Sequence, residues 1–201
     1  MSNTHHQGTL HIRIGPMFSG KTTWLNGELT DLADKGFKVA KIIHSDDVRG
    51  NNWSKGSSHS SSYKSLTDKI NIIRTDTLAK VDVNEHDVIG IDESQFFNDL
   101  YGTVREWVDW NDKHIRVAGL CGDFKKQKFG QTLDLIPIAD QVVKLSASCK
   151  YCLDDLKKSE FKGNIMAISG PFTKRTAGGA NQKEIGGLES YVPVCRYHHS
   201  N

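Results

Sequence analysis

Three observations predict an α/β fold built on a parallel sheet. Short apolar runs alternate with helical patterns over the first two-thirds of the chain. One of these strand-to-helix junctions, residues 15–22, reads G-x-x-x-x-G-K-T. Beyond Leu145 the periodicity fades and cysteines and paired glycines take over. The expectation is a phosphate-loop parallel sheet with helices on both faces, followed by a small C-terminal domain that cannot hold its shape through a core of its own. The boundary is expected near 146, dividing 1–146 from 147–201.

The elements follow in order. Residues 10–14, Leu-His-Ile-Arg-Ile, form the first strand. From Thr22 to Asp34, Leu25, Leu29 and Leu32 recur at helical spacing, and Gly36 is the stop signal. Further strands are expected at Val39–Ile43, Ile70–Ile73, Val88–Ile91, Ile115–Leu120 and Val142–Leu145. A second helix from Asp99 to Trp110 sets Leu100, Val104, Trp107 and Val108 on one face. Residues 50–65, GNNWSKGSSHSSSYKS, are poor in apolar side chains and read as a long mobile loop, either a plain insertion or a loop that orders over bound nucleotide.

The junction at 15–22 carries chemistry. Inward-pointing N–H groups of such a loop cradle a polyphosphate, Lys21 reaches the β- and γ-phosphates, and the Thr22 hydroxyl can ligate Mg²⁺. The following helix adds the positive end of its dipole. A second site closes the run Val88-Ile89-Gly90-Ile91, where Asp92 and Glu93 stand at the strand end. Asp92 suits the Mg²⁺ role, and Glu93 can accept a proton from a hydroxyl that attacks a γ-phosphate. A third site pairs Cys149-x-x-Cys152 with Cys195-x-x-His198, two knuckles of two ligands each. This suits a closed, structural tetrahedral Zn²⁺ site. His199 is the alternative to His198, and the spacing favours His198. The other histidines show no ligand-like spacing, and Lys125-Lys126-Gln127-Lys128 reads as a solvated turn.

Bulk properties narrow the classes. The 201 residues suit one substantial domain, or one with an appendage, and composition is that of a globular protein, 37% hydrophobic and 25% charged. A net charge of +2 does not advertise nucleic-acid binding. No apolar run approaches the ~20 residues that span a bilayer. The polar first residues lack the apolar centre of a signal peptide, so a reducing, cytoplasmic setting is expected, in which four cysteines serve metals or remain free thiols.

Taken together, GPMFSGKTT (15–23), Asp47-x-Arg49, IDESQFF (91–97), GLCGDFKKQKFG (119–130), Phe172-Thr173-Lys174-Arg175 and IGGLESYVPVCRYHH (185–199) resemble the type II thymidine kinases, in order and over nearly the whole chain. The resemblance implies a RecA-like phosphate-loop domain with a zinc-ribbon-like lasso domain. It implies transfer of the γ-phosphate of ATP, with Mg²⁺, to the 5′-hydroxyl of thymidine and also of deoxyuridine. The phosphate-binding set would be Gly15, Pro16, Met17, Phe18, Ser19, Gly20, Lys21, Thr22 and Thr23. Glu93 would be the base, and Arg49 would stabilise the transferring phosphoryl group. Phe124 would pack on the thymine ring, and Met17, Phe96, Leu120, Phe129 and Thr173 would line the pocket. Tyr191 would close it, and Gly186 would let the lasso backbone approach the base. The resemblance further implies a homotetramer and feedback inhibition by thymidine triphosphate, with no nucleic-acid or membrane partner. The chain differs from the family pattern at Cys121 and Asp123, where Asp and Thr are expected, at Ser190, and in the length of 153–172. Two other classes compete: a zinc-ribbon, nucleotide-sensing DNA-binding regulator, and a phosphate-loop ATPase coupled to a larger machine. Glu93 and the lack of a basic stripe beside the cysteines favour the kinase.

Overall fold

The computed structural model describes residues 7–47, 69–158, 168–177, 182 and 190–201. Arg49, Gly186 and the serine-rich segment 50–65 lie outside the described residues. A six-stranded sheet forms from β1 (Thr9–Gly15), β2 (Val39–His44), β3 (Asn71–Thr75), β4 (Val88–Ile91), β5 (His114–Leu120) and β6 (Gln141–Lys144), in the order β3-β2-β4-β5-β1-β6. The pairings of β2 with β3, β2 with β4 and β4 with β5 are parallel. The β1 pairings also rise together: Thr9 N bonds Lys113 O and Cys121 N bonds Gly15 O on one side, while Asp140 N bonds Leu10 O and Leu145 N bonds Ile14 O on the other. All six expected strands are present, and both expected helices, α1 (Lys21–Asp34) and α2 (Leu100–Asp109), match within a residue.

The strands read as continuous apolar runs because parallel strands are buried on both faces. Every residue of β2 and β4 is buried. Alternation sorts their side chains. Val39, Val88 and Ala118 pack with Leu25 and Leu29 of α1 and with Ile70. Gly90 shares that face. A Cβ placed there would lie 2.4 Å from Leu29 Cδ1, so any other residue would force that leucine of α1 to shift. On the opposite face, Gly119 meets Ser94 and Thr132. Ser94 begins a 3₁₀ turn (Ser94–Phe96), and Thr132 begins a longer one (Thr132–Ile138) that packs against α2. Leu100, Val104 and Trp107 are the buried stripe of α2.

The chain groups into two compact units by contact rather than by chain order. The first holds the described residues up to Ile12, Thr22–Gly119 and Gly130–Val142; the second holds Arg13–Lys21, Leu120–Phe129 and the described residues from Val143 onward. In the second unit, β7 (Ala147–Ser148) pairs antiparallel with β8 (Ser169–Gly170), and β9 (Phe172–Arg175) with β10 (Tyr191–Val194). Two further helices, α3 (Lys150–Lys158) and α4 (Arg196–Ser200), flank them. The core here is small: Cys149, Val192 and Val194, with Tyr151, Cys152, Ile168, Phe172 and Cys195 packed around them.

The seating of α1 gives a direct test. Leu29→Ala should lower unfolding stability by ~2–5 kcal/mol through a cavity over Gly90. Gly90→Val should cost ~1–3 kcal/mol by forcing the same leucine aside. Denaturant titration of both variants checks the packing, and two near-neutral substitutions would contradict it.

Candidate active site and metal centre

The phosphate loop belongs to the second unit. Phe18 (φ 64°) and Gly20 (φ 82°) are both left-handed, which curls the backbone so that successive N–H groups can converge. No atom crowds a Cβ at Gly20, so its backbone angle, not packing, calls for glycine there. At Gly15 the reason is space: a Cβ would lie 2.7 Å from Ser19 Oγ and 2.9 Å from Leu145 O. Ser19 Oγ donates to Pro16 O at 2.9 Å, and Lys21 Nζ donates to the same carbonyl at 2.6 Å. The ammonium is thereby held within the loop, and Lys21 is buried. Thr23 follows in the first turn of α1.

In the first unit, α1 and β4 bring Thr22 to Asp92. Thr22 Oγ1 donates to Asp92 Oδ1 at 3.1 Å, and the Glu93 N–H reaches the same oxygen at 3.1 Å. Lys41 Nζ lies 2.9 Å from Asp92 Oδ2 and donates to Asn26 Oδ1 at 2.7 Å. Burial pushes the Asp92 carboxyl up. The Lys41 ammonium and the hydrogen bonds from Lys41, Thr22 and Glu93 more than offset it, so its pKa sits below the ordinary value. Thr22 and Asp92 offer converging hydroxyl and carboxylate oxygens, the hard donors that suit Mg²⁺. Glu93 turns left-handed (φ 49°), and Gln95 Nε2 donates to its Oε2 at 2.6 Å. Phe96 lies with its ring 5.7 Å from that of His44. Lys41 and Gln95 were not singled out in the sequence. For Lys41 a signal existed: a lone lysine inside Val-Ala-Lys-Ile-Ile, an apolar run that should be buried on both faces.

Among the expected nucleoside-pocket residues of the second unit, Thr173 is buried and its Oγ1 accepts the Met17 N–H at 3.0 Å. The Arg175 guanidinium lies 3.9 Å from the centroid of the Phe124 ring, and its Nε donates to the Tyr191 hydroxyl at 3.1 Å. Arg175 thus links two of the aromatic candidates. Leu120 ends β5, and Phe129 closes the 120–129 segment, both half-buried. Asp123, where the family pattern has threonine, holds the turn after it: Oδ1 accepts the N–H groups of Lys125 and Gln127, each at 2.8 Å, and Oδ2 accepts Gln182 Nε2 at 2.8 Å. The lysine-rich run is the exposed turn it was expected to be.

The four expected metal ligands come together. One donor atom each from Cys149, Cys152, Cys195 and His198 lies within 4.8 Å of the others. His198 Nδ1 is 3.5, 3.4 and 3.3 Å from the sulfurs of Cys149, Cys152 and Cys195, and the Cys152 and Cys195 sulfurs are 3.8 Å apart. A tetrahedral ion with Zn–S bonds of ~2.3 Å needs edges of about 3.8 Å, so the donors fit zinc. Desolvation and the neighbouring Cys149 and Cys195 sulfurs push the Cys152 thiol up to about 12. Desolvation also opposes ionisation at Cys195, but the His198 N–H and ring bring that thiol down to about 7. Such crowded sulfurs ionise together only around a cation. His198 Nε2 stands 3.6 Å from Asp155 Oδ2, a partner of the kind that orients a ligating imidazole. His199 faces elsewhere: its Nε2 meets Phe124 O at 2.9 Å, and since a carbonyl only accepts, that nitrogen carries the proton.

These are the features that the sequence leads one to expect of a phosphate-loop kinase. Comparison with known proteins narrows the class: the family model "Thymidine kinase" matches residues 8–199. The chain is 36% identical to "Thymidine kinase" of Oryza sativa subsp. japonica over 96% of its length and 67% of the relative's. It is 36% identical to "Thymidine kinase a" of Arabidopsis thaliana, covering 96% and 75%. With "Thymidine kinase" of Yaba monkey tumor virus (strain VR587) the identity is 35%, covering 94% and 93%. The chain belongs to the thymidine kinase family, and thymidine phosphorylation is its reaction. Among solved structures, AMPPCP-bound DnaA from Aquifex aeolicus aligns with 81% of this chain and 49% of its own at 14% identity and a TM-score of 0.38, too remote to carry an argument. No helix among the described residues is long and apolar enough to cross a membrane.

The ligand assignment separates the adjacent histidines. His198→Ala should lose the metal on desalting, whereas His199→Ala should retain about one ion per chain. Elemental analysis of the two purified variants reads this directly, and a full complement in His198→Ala would reassign the fourth ligand.

Proposed function

We propose that the protein transfers the γ-phosphate of ATP to the 5′-hydroxyl of thymidine, and of deoxyuridine, with Mg²⁺ held by Thr22 and Asp92. The observation that supports this best is the end of β4, where Asp92 meets Thr22 and the Glu93 carboxylate is set in place by Gln95. Mg²⁺ when bound supplies charge neutralisation of the phosphates. The loop of Gly15, Pro16, Met17, Phe18, Ser19 and Gly20, with Lys21, Thr22 and Thr23, binds the polyphosphate through N–H groups and the Lys21 ammonium. Glu93 takes the proton of the 5′-hydroxyl. That oxygen then bonds to the γ-phosphorus as the bond to the β-phosphate oxygen breaks, and ADP leaves. Arg49, outside the described residues, stabilises the transferring group.

In the same reading Met17, Phe96, Leu120, Phe124, Phe129, Thr173, Gly186 and Tyr191 hold the nucleoside. Cys149, Cys152, Cys195 and His198 hold structural zinc. In chain order, 1–146 is the phosphate-loop domain and 147–201 the lasso domain. The enzyme works in the cytoplasm as a homotetramer, without nucleic-acid or membrane partners. Thymidine triphosphate carries base and phosphates in one molecule and so competes with both substrates. Family membership supports an enzyme over the regulator that the cysteines alone left open.

Glu93→Gln keeps the shape of the side chain and removes its basicity, and should lower kcat by about 10²–10⁴-fold with nucleotide affinity little changed. ADP release with thymidine as acceptor measures it. Turnover close to wild type would remove Glu93 as the base. Thymidine triphosphate should inhibit that turnover more strongly than the other three deoxynucleoside triphosphates, and equal inhibition by all four would count against base reading by the Phe124 pocket.

A further inference from the structure

Lys41 sits on β2, between β3 and β4 in the sheet, and is only 2% exposed. Its register partner on β4 is Gly90, which presents no side chain on the shared face. The aliphatic stem can therefore run toward the end of β4, where Nζ reaches Asp92 Oδ2 at 2.9 Å. Asn26, one turn into α1, takes a second Lys41 hydrogen bond at 2.7 Å and fixes the head group. Thr22 and the Glu93 N–H occupy the other carboxylate oxygen. Both oxygens of Asp92 are thus engaged and its charge is balanced within the protein itself.

We infer that Lys41 is a built-in counter-ion of Asp92, a positioning residue that supplies positive charge at the cation site and so lessens the dependence of nucleotide binding on the divalent cation. The inference rests on the reading of Thr22 and Asp92 as Mg²⁺ ligands. Its physical content is a competition. With Lys41 in place, a polyphosphate at Thr22 meets a neutralised carboxylate. Without it, the polyphosphate meets a buried negative charge, and the repulsion is relieved only when a cation binds between them. A lysine that served folding alone would, when removed, weaken nucleotide binding to the same degree with and without the cation.

The test measures the Kd of the non-hydrolysable analogue AMPPCP by calorimetry, in resin-treated buffer without added Mg²⁺ and again with saturating Mg²⁺. Chelators are avoided because they would strip the cysteine-held metal. The ratio of the two constants should be about tenfold or more larger in Lys41→Met than in wild type, with most of the change in the cation-free value. Lys41→Gln, which keeps a donor for Asp92 but no charge, should shift the ratio the same way. Lys41→Met/Asp92→Asn leaves no charge unpaired, and should regain the thermal stability lost in the single variant and return the ratio toward wild type. An unchanged or smaller ratio in both single variants would overturn the inference. If neither single variant folds, folding of the double variant supports charge balancing, and its failure to fold overturns it. Wild-type protein that binds no analogue in either buffer would instead remove the phosphate-site reading, and this inference with it.

Discussion

The N–H of Asp92 donates to Ile42 O at 3.0 Å, so Asp92 still belongs to the parallel ladder with β2, while Glu93 beside it is already left-handed. That abrupt end of β4 is the constraint from which the rest of the first unit follows. Strand alternation keeps Asp92 on the Gly90 face, where α1 lies, and there Thr22 and Lys41 meet it. The turn sends Glu93 out of that alternation. A non-glycine residue in this region costs ~1–3 kcal/mol and persists only when its surroundings over-determine it. The surroundings do so here: Gln95 is bonded to the Glu93 carboxylate, and Ser94 Oγ and Thr132 Oγ1 are 2.8 Å apart in the buried layer below. The absence of a Cβ at Gly119 leaves room for that pair. Two carboxylates adjacent in sequence thereby acquire different environments. Asp92 is buried and charge-balanced, whereas Glu93 is held at one oxygen by a neutral amide.

The second unit answers to a different constraint. Among the described residues its buried core is small, set against several short strands and two short helices to be ordered. An ion bound by its two knuckles would add stabilisation, because free energy of metal binding in a site absent from the unfolded chain is folding free energy. The local geometry is prepared for this. Cys195 caps α4, and its sulfur accepts the His198 N–H at 3.5 Å. Cys149 is fully buried at the start of α3, with Cys152 in the first turn of that helix.

The parallel sheet was legible because strands buried on both faces leave an apolar run that few other arrangements produce, and β4 is bounded as the sequence suggests, at Val88 and Ile91. The metal cluster was legible because ligand type and spacing are both restrictive. What could not be read depends on tertiary neighbours. The turn at Thr132–Ile138 is set by packing under Gly119 and against α2, and nothing in its own periodicity announces it. The two-residue strands β7 and β8 are too short to carry an alternation. Asp123 stood out as a departure from the family pattern, yet its role as an acceptor for two backbone N–H groups and for Gln182 emerges only when the turn is folded. Arg175 belongs to a stretch that carries the family resemblance, yet its sequence does not say what it touches, and only the fold lays it on Phe124.

The two adjacent histidines show how a sequence rule and a structural rule can agree for different reasons. Spacing favoured His198 by analogy between the two knuckles. The helix gives a geometric reason: successive residues are rotated by about 100° around the axis, so when one imidazole faces the sulfurs its neighbour cannot. His199 is turned instead toward the segment that carries Phe124, bonding its carbonyl while its ring lies 5.9 Å from that of Phe172. Desolvation, with Lys126 and Lys174 nearby, lowers its pKa and so favours the neutral ring, although the hydrogen bond it donates to Phe124 O acts the other way. The turn of α4 that brings His198 to the three sulfurs therefore also sets the direction from which His199 holds the Phe124 backbone.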